Sequence, residues 1–334
     1  MDTTLVSATP VTQSSQLLIV VLNYRTADLT IDCLKSLIDE VRSLPGTRVV
    51  VTDNASGDGS VEKIATAITN HQWDDRIELM PLERNGGYAY GNNAAILPAL
   101  ATEKPPAYVL LLNPDTVIRP AAITTLLNFM ENHPEVGIAG SRLEDLDGTP
   151  QRSAFRFPTV QSELDLNLRI GLVSKLLLPW ELAPPVSDQP IPTDWVAGAS
   201  MIIRRAVFDA IGVLDDKYFM YFEEVDFCLR AKRAGWPCWY VPQSKVVHFV
   251  GQSSGVTDTK RPAKRLPTYW FDSRRRFFLK NYGWFYAALA DTVGILGVSV
   301  RRLRRFVQPQ KYNDPPKIWA DFLRNSIFVK GGQV

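Results

Sequence analysis

The sequence predicts an α/β fold on a mostly parallel central sheet, and three observations carry that expectation. Short apolar runs without polar alternation recur in the first half: LLIVVL at 17–22, RVVVT at 48–52, and the stretch 107–112. Such runs suit strands buried on both faces. Each run ends on a polar residue, Asn23, Asp53 and Asn113, with Asp115 just beyond the last. Ligands of parallel sheets sit past the carboxyl ends of the strands, so these polar ends mark a binding edge. Between the first two runs, Leu29, Cys33, Leu34 and Leu37 follow a helical period, so strand and helix alternate.

The elements follow in order. Residues 1–15 read as a flexible lead. Residues 16–140 form the half that holds a nucleotide. Residues 141–192 contain FRFP, a Leu-rich patch at 164–178 and a Pro-rich stretch at 179–192, and read as an insertion or flap. The pattern tightens over 193–258. A strand is expected at 201–203 and a short helix at 206–211. A helix over 224–234 stops at Gly235, a C-cap, and short strands follow at 239–241 and 245–248. Residues 259–334 form a basic, partly apolar extension. Its cations include Lys260, Arg261, Lys264, Arg265, Arg274, Arg275, Arg276 and Lys280. A helix over 284–300 would be ~25 Å long, slightly short for a ~30 Å hydrocarbon core. With Arg301, Arg302, Arg304 and Arg305 after it, it fits association with an anionic membrane surface. The alternative is a core helix with solvated arginine ends.

The chain of 334 residues is 46% hydrophobic, enough for a folded core. Its net charge of +2 by itself implies nothing about nucleic acid, and no nucleic-acid partner is expected. Three scattered cysteines with no CxxC favour a reducing compartment. The N-terminus lacks the basic and apolar regions of a signal peptide. No apolar run is long enough to span a membrane.

Five stretches carry chemistry. In VVTDNASGDGS at 50–60, the Asp53 carboxylate can accept from a nucleobase N–H or a ribose hydroxyl, with Asn54 beside it. Asn23 and Arg25, after the first strand, join this donor-binding set. In ERNGGYAYGNN at 83–93, a helix start offers backbone N–H groups to a diphosphate, and Arg84, Asn85 and Gly86 face the donor. In VLLLNPDTVI at 109–118, Asn113 and Asp115 close an apolar strand, and Asp115 suits Mg2+ or Mn2+. The ion would bridge the diphosphate oxygens of the donor. In FMYFEEVDFCLRAKRAGW at 219–236, Glu223, Glu224 and Asp226 crowd a helix start. Like charges raise proton affinity there and the helix dipole lowers it. Asp226 and Arg230 are spaced to pair, which leaves Glu223 or Glu224 to take a proton from an acceptor hydroxyl. In VVHFVGQSSG at 246–255, His248 can ligate the metal or touch the diphosphate. Ordinary turns, caps and ion pairs are the alternative for each stretch.

In order and spacing these stretches resemble the family 2 glycosyltransferases, especially the rhamnosyltransferase-like branch. The resemblance also uses VVLNYRTADLTIDCLKSL at 20–37 and DWVAGASMIIRR at 194–205, and it covers roughly 17–255. It implies a single Rossmann-like nucleotide-sugar transferase domain of the GT-A type, with a helical basic C-terminal extension. It implies an inverting transferase using a nucleotide-diphosphate sugar and Mg2+ or Mn2+. Asp53 would read the base and Arg84 would contact the donor. Asp115 corresponds to the last acid of the usual Asp-x-Asp metal motif, with Asn113 in the first place. Glu224 matches the catalytic base, and His248 a histidine near diphosphate and metal. Trp195, Gly198 and Ala199 would line the acceptor or sugar side, where Asp226 is also counted. The branch implies L-rhamnose from dTDP-rhamnose passed to a polyprenyl-diphosphate-linked saccharide, such as a GlcNAc-containing acceptor. It further implies a cytoplasmic enzyme peripheral on the inner face of the plasma membrane. Alternatives are a UDP-hexose or UDP-HexNAc transferase of the same fold, or a noncatalytic nucleotide-sugar binding module. A nucleotidyltransferase is disfavoured because NYRTADLT after the first strand has no glycine, and a dehydrogenase because no GxGxxG stands there.

Overall fold

The computed structural model describes residues 17–249, 263–307 and 314–332. The expected lead at 1–15, Lys260, Arg261 and the loop after Phe249 lie outside them. Strands β1 (Leu17–Asn23), β2 (Thr47–Asp53), β3 (Ile77–Pro81) and β4 (Tyr108–Leu112) alternate with helices α1 (Ala27–Ser43), α2 (Ser60–Asn70) and α3 (Gly87–Leu100). Then come β5 (Thr116–Ile118), α4 (Ala122–Asn132), β6 (Ile138–Glu144), β7 (Ala154–Phe155), α5 (Val160–Leu168) and α6 (Gly171–Leu176). The next stretch holds β8 (Ile191–Thr193), β9 (Trp195–Val196), β10 (Ser200–Arg204), α7 (Arg205–Ile211), α8 (Glu223–Arg233) and β11 (Cys238–His248). Among the described residues, four helices follow: α9 (Thr268–Tyr282), α10 (Trp284–Val307), α11 (Ile318–Arg324) and α12 (Ile327–Lys330).

Nine strands form one sheet in the order β3-β2-β1-β4-β10-β6-β11-β5, with β8 on β11. β3, β2, β1 and β4 run parallel, as do β6 and β11, while β10 lies antiparallel between β4 and β6. The chain steps outward from β1 to β3 and then returns to β4 on the other side of β1. This reversal opens a crevice at the carboxyl ends of β1 and β4. The apolar runs lack alternation because both faces are buried. Leu17, Ile19 and Val21 enter the core under α1 and α4, while Leu18 and Val20 enter the one shared with α3, α8 and α9.

Helix α8 starts and ends one residue earlier than expected, with Gly235 just past its C-cap Ala234. Gly235 has φ +88, its N–H donates to the Lys232 carbonyl at 3.1 Å, and the Trp236 N–H reaches Ala231 at 2.9 Å. That is a Schellman closure, which only glycine enters without strain. Two boundaries differ. The expected flap edge at 141 cuts through β6, a buried strand central to the sheet. The strands expected at 239–241 and 245–248 are one strand, β11, whose register to β6 shifts between Val241 and Lys245. Pro242 interrupts the ladder there.

The C-terminal helices dock on the body through buried charges. Arg274 of α9 is 3% exposed and donates to Glu163 Oε2 of α5 at 2.8 Å and to Asp291 of α10. Arg275 and Arg276 pair with Asp272 and Asp215, and Arg301 with Asp314. Several cations expected to face a membrane therefore serve internal ion pairs.

Candidate active site

The crevice encloses a cavity of about 220 Å3. Its floor is the Asn113-Pro114-Asp115 turn after β4, and its sides come from the ends of β1, β2 and β10 and the starts of α3 and α8. Asn54, just past β2, ties two walls together. Its Nδ2 donates to Asn85 Oδ1 at 2.8 Å and to the Gly87 carbonyl at 3.1 Å. Gly87 has φ +89, and a Cβ there would lie 1.9 Å from the Phe219 carbonyl oxygen. Glycine is thus required both for conformation and for close approach, and the Tyr88 N–H donates to that same oxygen at 2.8 Å. Antiparallel pairing of Ser200 with Leu112 brings Gly198 and Ala199 beside Asn113, whose N–H donates to the Ala199 carbonyl at 3.0 Å. The Tyr88 hydroxyl closes that side by donating to the Gly198 carbonyl at 2.8 Å.

Glu223 and Glu224 open α8 and face the cavity. The two residues before Glu223, Tyr221 and Phe222, hold φ +70 and +68. Two successive left-handed residues other than glycine are strained, and they turn the chain so that both carboxyls enter the site. Burial raises the Glu223 carboxyl well above the carboxylate range, and the neighbouring Glu224 charge adds to it. Burial also pushes Glu224 up, to about 7, against the helix-start N–H groups that lower it. Each side chain keeps one buried oxygen without a hydrogen-bond partner.

Asp115 and His248 meet through sheet register. β11 runs antiparallel to β5 with His248 opposite Thr116, and the Phe249 N–H donates to the Asp115 carbonyl at 2.9 Å. The His248 Nε2 then lies 3.6 Å from Asp115 Oδ1. A carboxylate and an imidazole together fit a divalent ion such as Mg2+ or Mn2+. No group of three or more His, Cys, Asp or Glu suited to a metal occurs among the described residues. The pair therefore fits an ion completed by donor oxygens and water, and not a closed protein cage.

Of the residues expected in the site, Asn54, Asn85, Asn113, Asp115, Gly198, Ala199, Glu223, Glu224 and His248 line the cavity. Gly86 adjoins it, its N–H directed to Asn54 Oδ1 at 3.4 Å. Others stand elsewhere. Asp53, 1% exposed, accepts from Asn23 Nδ2 at 2.6 Å and from the Ser56 hydroxyl and N–H at 2.7 and 2.9 Å, so it binds the β1 and β2 loops together. Arg25 donates to the Ser56 carbonyl at 3.0 Å and lines a separate surface groove with Asp58 and Lys63. Arg84 lies over the Tyr90 ring. Trp195 stacks on Phe155 at 4.2 Å and donates to the Arg156 carbonyl. Asp226 is a correction to the acceptor-side expectation. It is fully buried and accepts from Arg230, Lys280 and Asn281 at 2.9, 2.7 and 2.9 Å, which fixes α8 to α9. A charge so compensated has no reach toward a ligand. Sequence reasoning missed Tyr24, Thr26, Tyr88, Met220 and Tyr221 as wall residues. For Tyr88 the signal was its place in NGGYAYGNN, directly after the paired glycines.

Residues 18–212 match Glycosyl transferase family 2. The chain is 29% identical over 280 residues to the N-acetylglucosaminyl-diphospho-decaprenol L-rhamnosyltransferase of Mycobacterium tuberculosis, covering 77% of this chain and 86% of that protein. It is 30% identical over 272 residues to a low-salt glycan biosynthesis hexosyltransferase of Haloferax volcanii, covering 81% and 77%. Among solved structures, the mannosyltransferase of Pyrobaculum calidifontis in complex with GDP-Man and Mn2+ superposes with a TM-score of 0.54 at 13% identity, over 96% of this chain and 88% of that one. The shared architecture is the GT-A nucleotide-sugar transferase fold.

Proposed function

The chain belongs to glycosyl transferase family 2 and is a sugar transferase, and from that premise we propose that it moves L-rhamnose from dTDP-rhamnose to a hydroxyl of a polyprenyl-diphosphate-linked saccharide, inverting the anomeric centre. One observation carries the reaction type. Two carboxyls with raised proton affinity, Glu223 and Glu224, face the cavity whose floor is Asn113-Pro114-Asp115. A noncatalytic module has no need of such a pair, and burying it is costly.

Glu224 is the base that takes the acceptor proton. Titrating near 7, it is ionised in a useful fraction near neutral pH and still basic enough to accept a proton. Glu223, the more buried of the two, lies beside it with its proton affinity raised by burial and by the Glu224 charge. Asn54 and Asn85 hold the start of α3 in place at the cavity wall, accepting from the Gly86 and Gly87 N–H groups while the Phe219 carbonyl accepts from that of Tyr88. Asp115 and His248 would hold Mg2+ or Mn2+, which when bound offsets the charge of the leaving nucleotide. Asp53, Asn23 and Ser56 shape the loops of the nucleotide side from behind. Gly198, Ala199 and Tyr88 form the wall on the sugar and acceptor side.

The Mycobacterium tuberculosis rhamnosyltransferase supports the sugar and the lipid-linked acceptor. The Haloferax volcanii hexosyltransferase favours a second reading, a hexose donor on the same machinery. A lipid-linked acceptor places the enzyme in the cytoplasm, peripheral on the inner face of the plasma membrane. Among the described residues no helix is long and apolar enough to cross a membrane.

The test is a panel of UDP-, GDP- and dTDP-sugars with a synthetic prenyl-diphosphate-GlcNAc acceptor, read by mass spectrometry with and without EDTA. The expected product gains a deoxyhexose from dTDP-rhamnose, and the gain disappears with EDTA. A hexose gain replaces the sugar and keeps the reaction. An EDTA-insensitive gain removes the metal. No donor consumed with any acceptor overturns the reading.

A further inference from the structure

Helix α10 departs from an ordinary surface helix, which turns an apolar side inward and a polar side outward: Ala287, Ala290 and Val298 are buried against the body, and the outward side is apolar as well. Its mid-helix acid and the first arginine of its basic tail face the protein. Asp291 pairs with Arg274 and accepts from the Ile327 N–H at 2.7 Å. Arg301, 2% exposed, pairs with Asp314 at 3.2 Å. Facing outward are Phe285, Leu289, Leu296, Val300 and Leu303, with Phe285 85% and Leu303 66% exposed. At 3.6 residues per turn these five fall within an arc of about 60° and run ~27 Å along the helix. Thr292, Val293 and Ser299, beside the stripe, are uncharged.

The ends of the stripe are cationic. Arg302 and Arg305 are exposed at its C-terminal end, Arg302 over the Trp319 ring and Arg305 3.7 Å from Asp314. At the other end α12 packs on α10, with Gly332 against the Trp284 indole. There Phe328 and Val329 extend the apolar surface, and Arg324 and Lys330 are exposed. Near the C-terminal end, Arg304 donates to the carbonyls of Leu168 and Arg169, just before α6. Leu172, Leu176 and Leu178 of that segment are exposed in turn, with Lys175 among them.

We propose that α10 is a membrane-docking helix that lies flat on an anionic lipid bilayer, with the Phe285–Leu303 stripe in the acyl boundary and the flanking arginines and lysine at the phosphate headgroups. An exposed apolar surface of this extent needs a cover, and the charge pattern selects which. Cations at both ends would face cations if two copies paired through the stripe, whether parallel or antiparallel. Anionic headgroups complement both ends at once. The proposed lipid-linked acceptor gives the surface its use, and docking itself does not require it.

The experiment is flotation of the full chain with phosphatidylcholine vesicles, with and without phosphatidylglycerol. It compares the wild type with the triple variant Phe285→Ser, Leu296→Ser, Leu303→Ser and with the pair Arg302→Gln, Arg305→Gln. The wild type is expected to float with the anionic vesicles, and the triple variant to lose more than about tenfold of its partition. All three replaced side chains are exposed, so the melting curve should not fall. The arginine pair should lose binding only to the anionic vesicles. A triple variant that floats like the wild type overturns the assignment. So does a wild type that ignores vesicles and is a dimer which the triple variant dissociates, because the stripe then covers a second copy. Transfer to a short-chain, water-soluble acceptor should be unchanged in the triple variant, which separates failure of the surface from failure of the reaction.

Discussion

Replacing Glu224 by glutamine removes one ionisable carboxyl while keeping its volume and its helix position. Burial carries this group from 4.5 to about 7, which at 1.36 kcal/mol per pH unit is about 3 kcal/mol between its protonated and ionised forms. A carboxyl raised by folding binds its proton more tightly in the folded chain than in the unfolded one. It therefore costs nothing below about pH 4.5, costs progressively more as pH rises toward 7, and costs the full amount above. Glutamine is neutral throughout. Glu224→Gln should thus match the wild type near pH 4.5 and be more stable at pH 8, by up to about 3 kcal/mol; part of the side chain reaches solvent, so the gain falls below that bound. Relief of Glu223 from its neighbour's charge acts in the same direction. Turnover should fall about 10²- to 10⁴-fold, the usual contribution of a general base, with donor binding retained. Urea titrations at the two pH values read the first effect, and transfer assays with calorimetric donor binding read the second. In the wild type, kcat/KM should climb through pH 7 and level off. A variant no more stable than wild type at pH 8 would refute burial as the cause of the shift. A variant within tenfold of wild-type turnover would move the base to Glu223.

Two further outcomes follow from packing. Gly87→Ala places a methyl against the Phe219 carbonyl in a left-handed conformation, so a loss of about 2 kcal/mol or more is expected, together with weaker donor binding, by thermal denaturation and calorimetry; unchanged melting would show that the α3 start yields freely. Arg274→Ala leaves Glu163 and Asp291 buried without their cation and should cost roughly 3–5 kcal/mol, read by urea denaturation; a loss under about 1 kcal/mol would show that the C-terminal helices dock without this triad.

The N-terminal part of the sheet was legible because its signals are local. A strand buried on both faces must be apolar throughout, as Leu17–Leu22 is, and a chain that leaves a sheet toward a ligand ends on polar residues such as Asn23, Asp53 and Asn113. A helix that stops needs a residue free to take positive φ, and Gly235 provides it. β3 and β6 went unread because Ile77–Pro81 is short and half exposed, and Ile138–Glu144 carries glycine, serine and arginine inside the sheet. Their strand state depends on neighbours supplied from elsewhere in the chain.

The sequence by itself determined the fold class, the order of the site motifs and the placing of two glutamates at a helix start, since each follows from periodicity and residue chemistry within a few positions. Only the tertiary structure decided which polar groups face the ligand and which face each other. β11 pairing on β5 sets His248 beside Asp115 across more than a hundred residues. Docking of α9 turns Asp226 from a surface acid into a buried anchor. The triad of Glu163, Arg274 and Asp291 draws the mid-helix acid of α10 inward, while Phe285, Leu289 and Leu296 of the same helix stay exposed. In each case the cost of burying a charge is met by a partner distant in sequence, and only the folded chain determines which partner that is.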